Sequence, residues 1–167
     1  MVFSIPRRVG TERALLAEFQ GKAEAKLERK KIQPQRWTPP EQGVYKANYD
    51  GAYFVKEDKA RIRVVVRNDL GQVMGSLAEK IEKPSTMEVL EALATTKAMI
   101  FMEELGLRQA IFEGDLEIVV KALVGDCPVR SSIRHIVKDC KSLMGLFQTY
   151  TFSQVRPQSN GVAHALA

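Results

Sequence analysis

The 167-residue chain is poor in cysteine: Cys127 and Cys140, thirteen positions apart, are its whole complement. Without a second pair they exclude a cysteine-built zinc site and argue against a disulfide framework. Long apolar runs are missing as well. The longest, around 64–66, is broken by arginines and falls far short of the ~20 residues needed to span a bilayer, so no membrane partner is expected. The opening "MVFSIPRRVG" has too short an apolar stretch for a secretory signal, which makes an intracellular address the expectation, nucleus and cytoplasm unresolved. No internal repeat or low-complexity tract is present. Most of the chain also lacks net charge. Residues 1–36 hold nine Lys/Arg and four Glu, while residues 37–167 carry sixteen of each sign, so the arm alone supplies the formal excess of +5. A basic arm ahead of a neutral domain suits a polyanionic partner.

What is present, 45% hydrophobic and 27% charged residues, is the composition of a globular domain. Within the arm, residues 11–31 place Leu15, Leu16, Phe19, Ala23 and Leu27 at helical spacing, a docking helix or linker and the candidate surface for a protein partner. Residues 37–43, with Pro39 and Pro40, read as a proline-rich linker, and residues 44–167 as the domain. Strands are expected over 44–49, 61–67 and 73–78, joined by short turns as an antiparallel meander. Ser85 and Glu88 predict a capping box for a long helix. Its expected core stripe is Met87, Leu90, Ala94, Ala98, Phe101 and Leu105, and Gly106 ends it. A strand over 109–113, helices over 115–124 and 133–147, a strand over 149–155 and the start of a last helix over 160–167 complete the order. The pattern describes an α/β domain, one mixed five-stranded sheet flanked by helices.

Three acids stand out against that frame. In "YKANYDGAY", Asp50 falls inside what reads as a buried strand, although Asp-Gly is also an ordinary turn dipeptide. Asp115 follows the fourth strand, where it could cap the next helix. Glu91 lies one residue past Leu90, on the expected rim of the helix stripe, where a solvated glutamate is common. If the first and fourth strands are parallel neighbours, Asp50 and Asp115 emerge at one edge, the usual place for a ligand site on such a sheet. Three carboxylates there suit a hard cation, Mg²⁺ or Mn²⁺.

The residues Trp37, Pro39, Pro40, Gly43, Lys46, Asn48, Asp50, Gly51 and Ala52 form the first part of a longer pattern. Glu91-Ala92-Leu93-Ala94, Glu113-Gly114-Asp115 and "VRPQSNGVAHALA" follow in register. Across residues 37–167 this pattern resembles the ribonuclease H family, type 1, and most closely its plant reverse-transcriptase-like branch. The resemblance implies a ribonuclease H-like fold, with three antiparallel strands and then parallel ones. It implies hydrolysis of the RNA strand of RNA–DNA hybrids with two Mg²⁺ ions, and Asp50, Glu91 and Asp115 as metal ligands.

Two departures qualify it. Where active relatives have Asn-x-x-x-Asp in the last helix, this chain has Asn160 and His164, so His164 takes the fourth catalytic position; a frequent histidine further upstream is here Gln154. Imidazole is a poorer Mg²⁺ ligand than carboxylate, and Mn²⁺ is expected to be tolerated better. Where the family often has Ala-Gly-x-Gly, this chain has Arg61 and Arg63, read either as phosphate contacts or as a solvent-facing strand edge. With Asn48, Gly51, Gln154 and Asn160 they make up the expected nucleic-acid-binding set. Two readings stay open: a metal-dependent hybrid endonuclease, and a catalytically weak or inactive nucleic-acid-binding module derived from a retroelement.

Overall fold

The structure, a computed structural model, describes residues 37–125 and 127–155. The expected helix over 11–31, the last helix over 160–167, Asn160 and His164 lie outside the described residues. The chain divides between Pro34 and Gln35, and only the second unit contains described residues.

Alternation of apolar and polar residues produces five strands: β1 (Tyr45–Phe54), β2 (Lys59–Arg67), β3 (Val73–Glu82), β4 (Gln109–Gly114) and β5 (Thr149–Gln154). They form one sheet in the order β3-β2-β1-β4-β5. The first three are antiparallel and the β1–β4 and β4–β5 pairs are parallel. The predicted turn between β2 and β3 is present. Asn68 Oδ1 accepts from the amides of Leu70 and Gln72, so one side chain closes the loop.

Asp50 and Gly51 do not turn the chain. They pair with Arg63 and Ile62 in the middle of the β1–β2 ladder, and the reversal comes at a short 3₁₀ segment, Val55–Glu57. The dipeptide is compatible with a turn, but ladder bonds continue through it.

Three helices follow: α1 (Met87–Glu104), α2 (Glu117–Val124) and α3 (Arg134–Leu143). The expected cap of α1 is displaced by one residue. Thr86, in extended conformation, accepts from the Val89 amide at 3.2 Å. Glu88 pairs with Arg130 instead of reaching back to Ser85. The buried face of α1 is also rotated. Leu90, Ala94 and Ala98 are buried as expected, but Met87 and Leu105 are exposed, and Glu91, Thr95, Met99 and Met102 are buried instead. The face that meets the sheet is thus centred near Glu91 and Met102.

The core lies on one side of the sheet, where Ala47, Tyr49, Ile62, Val64, Val66 and Phe112 meet α1. Phe112 packs edge-on to Phe147 at 5.3 Å and stacks on Phe152 at 5.2 Å. Both cysteines are free. Part of the expected linker is docked: Trp37 lies 4.0 Å below the Arg67 guanidinium, and Thr38 O accepts from Lys46 Nζ at 2.8 Å. Among the described residues no helix is long and apolar enough to cross a membrane.

Candidate active site

The parallel register explains how two distant aspartates meet. Pairing of β1 with β4 ends at Asn48↔Glu113. Asp50 and Asp115 are each two residues further on, so they stand at the same level where the two strands diverge. Helix α2 begins at Glu117 with Leu116 at its cap position, which leaves Asp115 ahead of the helix rather than capping it.

Two glycines let the third acid approach. A Cβ on Gly51 would lie 2.5 Å from Leu90 Cγ, and one on Gly114 would lie 2.6 Å from Tyr49 Cε2. With hydrogens there, α1 packs directly on β1 and Tyr49 slides beneath the end of β4. Glu91 is carried to the sheet with it and is 2% exposed, not on a solvated rim. Its neighbour Thr95 is satisfied by donating to the Glu91 carbonyl at 2.9 Å.

Glu91 senses the other two carboxylates. Burial is the main cause that raises the Glu91 pKa well above the ordinary carboxylate value, and the negative charges of Asp115 and Asp50 push it further. An amide hydrogen bond from the Asp115 backbone acts in the opposite direction. Glu91 Oε1 is buried and meets no hydrogen-bond donor among the described residues. Burial likewise raises the pKa of the Tyr49 phenol, with Glu91 the second contributor.

The donor set fits a hard cation at one corner and not at another. An orphaned carboxylate oxygen beside a second acid is the environment that such a cation would relieve. Asp50, however, is engaged: Arg63 Nη2 donates to its Oδ2, and both side chains are buried. Among the described residues no group of three acidic, histidine or cysteine side chains is already arranged to hold a metal ion.

The remaining expected contacts fall into different places. Asn48 is 1% exposed. Its amide donates to Glu113 Oε2 at 2.8 Å and accepts from Arg67 Nη2 at 2.9 Å, so both ends are bonded inside the fold. Gly51 faces Leu90 rather than a groove. Arg63 is 4% exposed on β2, an inner strand between β1 and β3, rather than on a solvent-facing strand edge. Arg61 is half-exposed, with its guanidinium 4.7 Å from the Phe54 ring centroid. Gln154 is exposed beside the site and donates to the Asp115 carbonyl at 3.2 Å.

Sequence reasoning missed the polar network on the face of the sheet opposite the core. Lys46 meets Glu113 at 2.8 Å, Asn48 bridges Glu113 to Arg67, and Trp37 covers Arg67. Burial pushes the Arg67 pKa down, and Glu113 opposes it. The signal was available in the alternation of Lys46, Asn48 and Asp50 along one strand face.

The sheet order, with three antiparallel strands followed by parallel ones and helices packed on it, defines a ribonuclease H-like fold. A family model described as reverse transcriptase-like matches residues 48–167, and the chain belongs to that family. Among solved structures, ribonuclease H1 of the halophilic archaeon Halobacterium salinarum superposes with a TM-score of 0.68 at 22% identity, covering 74% of this chain and 94% of that one. The N-terminal ribonuclease H domain of a Mycobacterium tuberculosis protein gives 0.67 at 20% identity, covering 74% and 90%. LC11-RNase H1, solved in complex with an RNA/DNA hybrid, gives 0.65 at 18% identity, covering 73% and 92%. No curated protein matches the chain.

Proposed function

We propose that this chain binds RNA–DNA hybrids and hydrolyses their RNA strand with divalent metal, at a site made by Asp50, Glu91 and Asp115. The observation that carries this reading is Glu91: a buried carboxylate with an oxygen that meets no donor among the described residues, coupled to two other acids at the strand ends. A buried, unsatisfied carboxylate beside two further acids is the kind of environment that a bound cation would relieve, which supports this reading.

Asp50, Glu91 and Asp115 would hold Mg²⁺ or Mn²⁺, with His164 at the fourth position; cations bound there supply an activated water and charge neutralisation at the departing oxygen. The chain's own contribution is position. Gly51 and Gly114 bring α1 and Tyr49 close enough to fix Glu91, and the parallel register aligns Asp50 with Asp115. Gln154 and the half-exposed Arg61 are candidate nucleic-acid backbone contacts, and the sequence pattern adds Asn160 to that set. Recognition would rest on helix shape and 2′-hydroxyls rather than base edges, so cleavage would be largely independent of sequence.

The Arg63–Asp50 pair favours a second reading, hybrid binding with little or no turnover. Band-shift titration with a labelled hybrid in EDTA, followed by addition of Mn²⁺ or Mg²⁺, separates the two. The proposed enzyme retards the hybrid and then shortens its RNA strand, and Glu91→Gln stops the second step only. Retention without cleavage in either metal would establish the binding module, and failure to bind at low salt would remove both readings.

A further inference from the structure

The cross-strand neighbour of Asp50 is Arg63, and the two side chains are only 4% and 5% exposed. We infer that Arg63 is a resident cation that occupies the charge position at Asp50 and competes with divalent metal there. This rests on the assignment of Asp50 to the acid site, but not on catalysis.

The pair is part of a built arrangement. On the same face of the sheet Lys46 meets Glu113, and Arg67 donates to Asn48, so cationic side chains and their acceptors alternate from Trp37 to the site. The ion pairs Lys59–Glu82, Lys80–Glu57 and Lys83–Asp58 lie on exposed side chains elsewhere and resemble ordinary surface pairs. The Arg63 backbone is fixed, since β2 is held on both sides by β1 and β3. A divalent ion reaching Asp50 must therefore either displace a buried guanidinium from its partner or sit beside a like charge, and both weaken it.

An asymmetry between the acids follows. Asp50 has a cation beside it in the metal-free chain, whereas Glu91 Oε1 is buried with no donor among the described residues. Neutralising Asp50 leaves Arg63 without that carboxylate; neutralising Glu91 breaks no ion pair among the described residues. The test is thermal unfolding of the full chain and its variants in EDTA, with calorimetric titration by Mn²⁺ alone. Asp50→Asn is expected to lower the Tm by about 5 °C or more, while Glu91→Gln leaves it unchanged or raises it. Arg63→Ala is expected to bind Mn²⁺ about tenfold or more tightly than wild type, because the fraction of chains with Asp50 available rises. Arg63→Gln, which keeps a donor toward Asp50 without the charge, shows the same gain should the alanine variant fail to fold.

If Asp50→Asn is stabilising in the manner of Glu91→Gln, the inference is overturned. Equal Mn²⁺ affinity of the wild type and a folded Arg63 variant would overturn it as well. A wild-type chain that shows the asymmetry yet never cleaves hybrid keeps the inference and loses the hydrolase reading; cleavage with a stabilising Asp50→Asn does the reverse.

Discussion

Glu91 is the residue on which the proposed chemistry turns, and the upward shift of its pKa has a measurable consequence. A carboxyl raised above its unfolded value keeps its proton in the folded chain at pH values where the unfolded chain has lost it. Its contribution to stability is therefore fully present at low pH and is lost as pH rises from the ordinary carboxylate range through the folded value. In EDTA, the unfolding free energy of wild type relative to Glu91→Gln is expected to fall across that window. A flat difference in paired urea titrations would mean that Glu91 is not held in the environment described. Gly51 gives a second prediction at this scale. Alanine there would press a methyl against Leu90, and the expected loss is about 1–3 kcal/mol, read as a lower urea midpoint. An unaltered midpoint would contradict the close packing of α1 on β1.

At the scale of elements, the start of α1 separates two caps that adjacent residues could provide. Thr86→Ala is expected to cost about 1 kcal/mol, while Ser85→Ala stays within about 0.5 kcal/mol; the opposite ranking by chemical denaturation would restore the capping box. The strand order was legible because alternation, turn residues and helix-closing glycines punctuate the chain clearly. Three features were not. Asp50-Gly51 can be read as a strand or as a turn because the dipeptide is the same whether or not a neighbour pairs with it, and only the register with Arg63 and Ile62 shows that β1 continues. Glu91 reads as a rim residue because an apolar stripe drawn through Met87 and Leu105 is rotated from the face that the sheet covers. Arg63 reads as a surface contact because its role depends on a residue thirteen positions away across a ladder.

For the molecule as a whole, charge is divided between a basic arm and a balanced domain. If the arm neutralises phosphates, replacing Lys22, Lys26, Lys30 and Lys31 with glutamine lowers the slope of log affinity against log salt. The expected reduction is about 0.7–0.9 for each phosphate that is no longer neutralised. An unchanged slope would assign the electrostatic attraction to the domain. The domain itself joins a fold shared with ribonucleases H to an Asp50–Arg63 ion pair, so the proposed binding and the proposed turnover call for separate tests. The most direct measurement is the length of the RNA strand after a labelled RNA–DNA hybrid, and the same sequence as an RNA duplex, are incubated with purified protein and Mn²⁺. The account predicts shortening of the hybrid alone, abolished by Glu91→Gln; intact RNA in the hybrid, or equal cutting by wild type and Glu91→Gln, would contradict it.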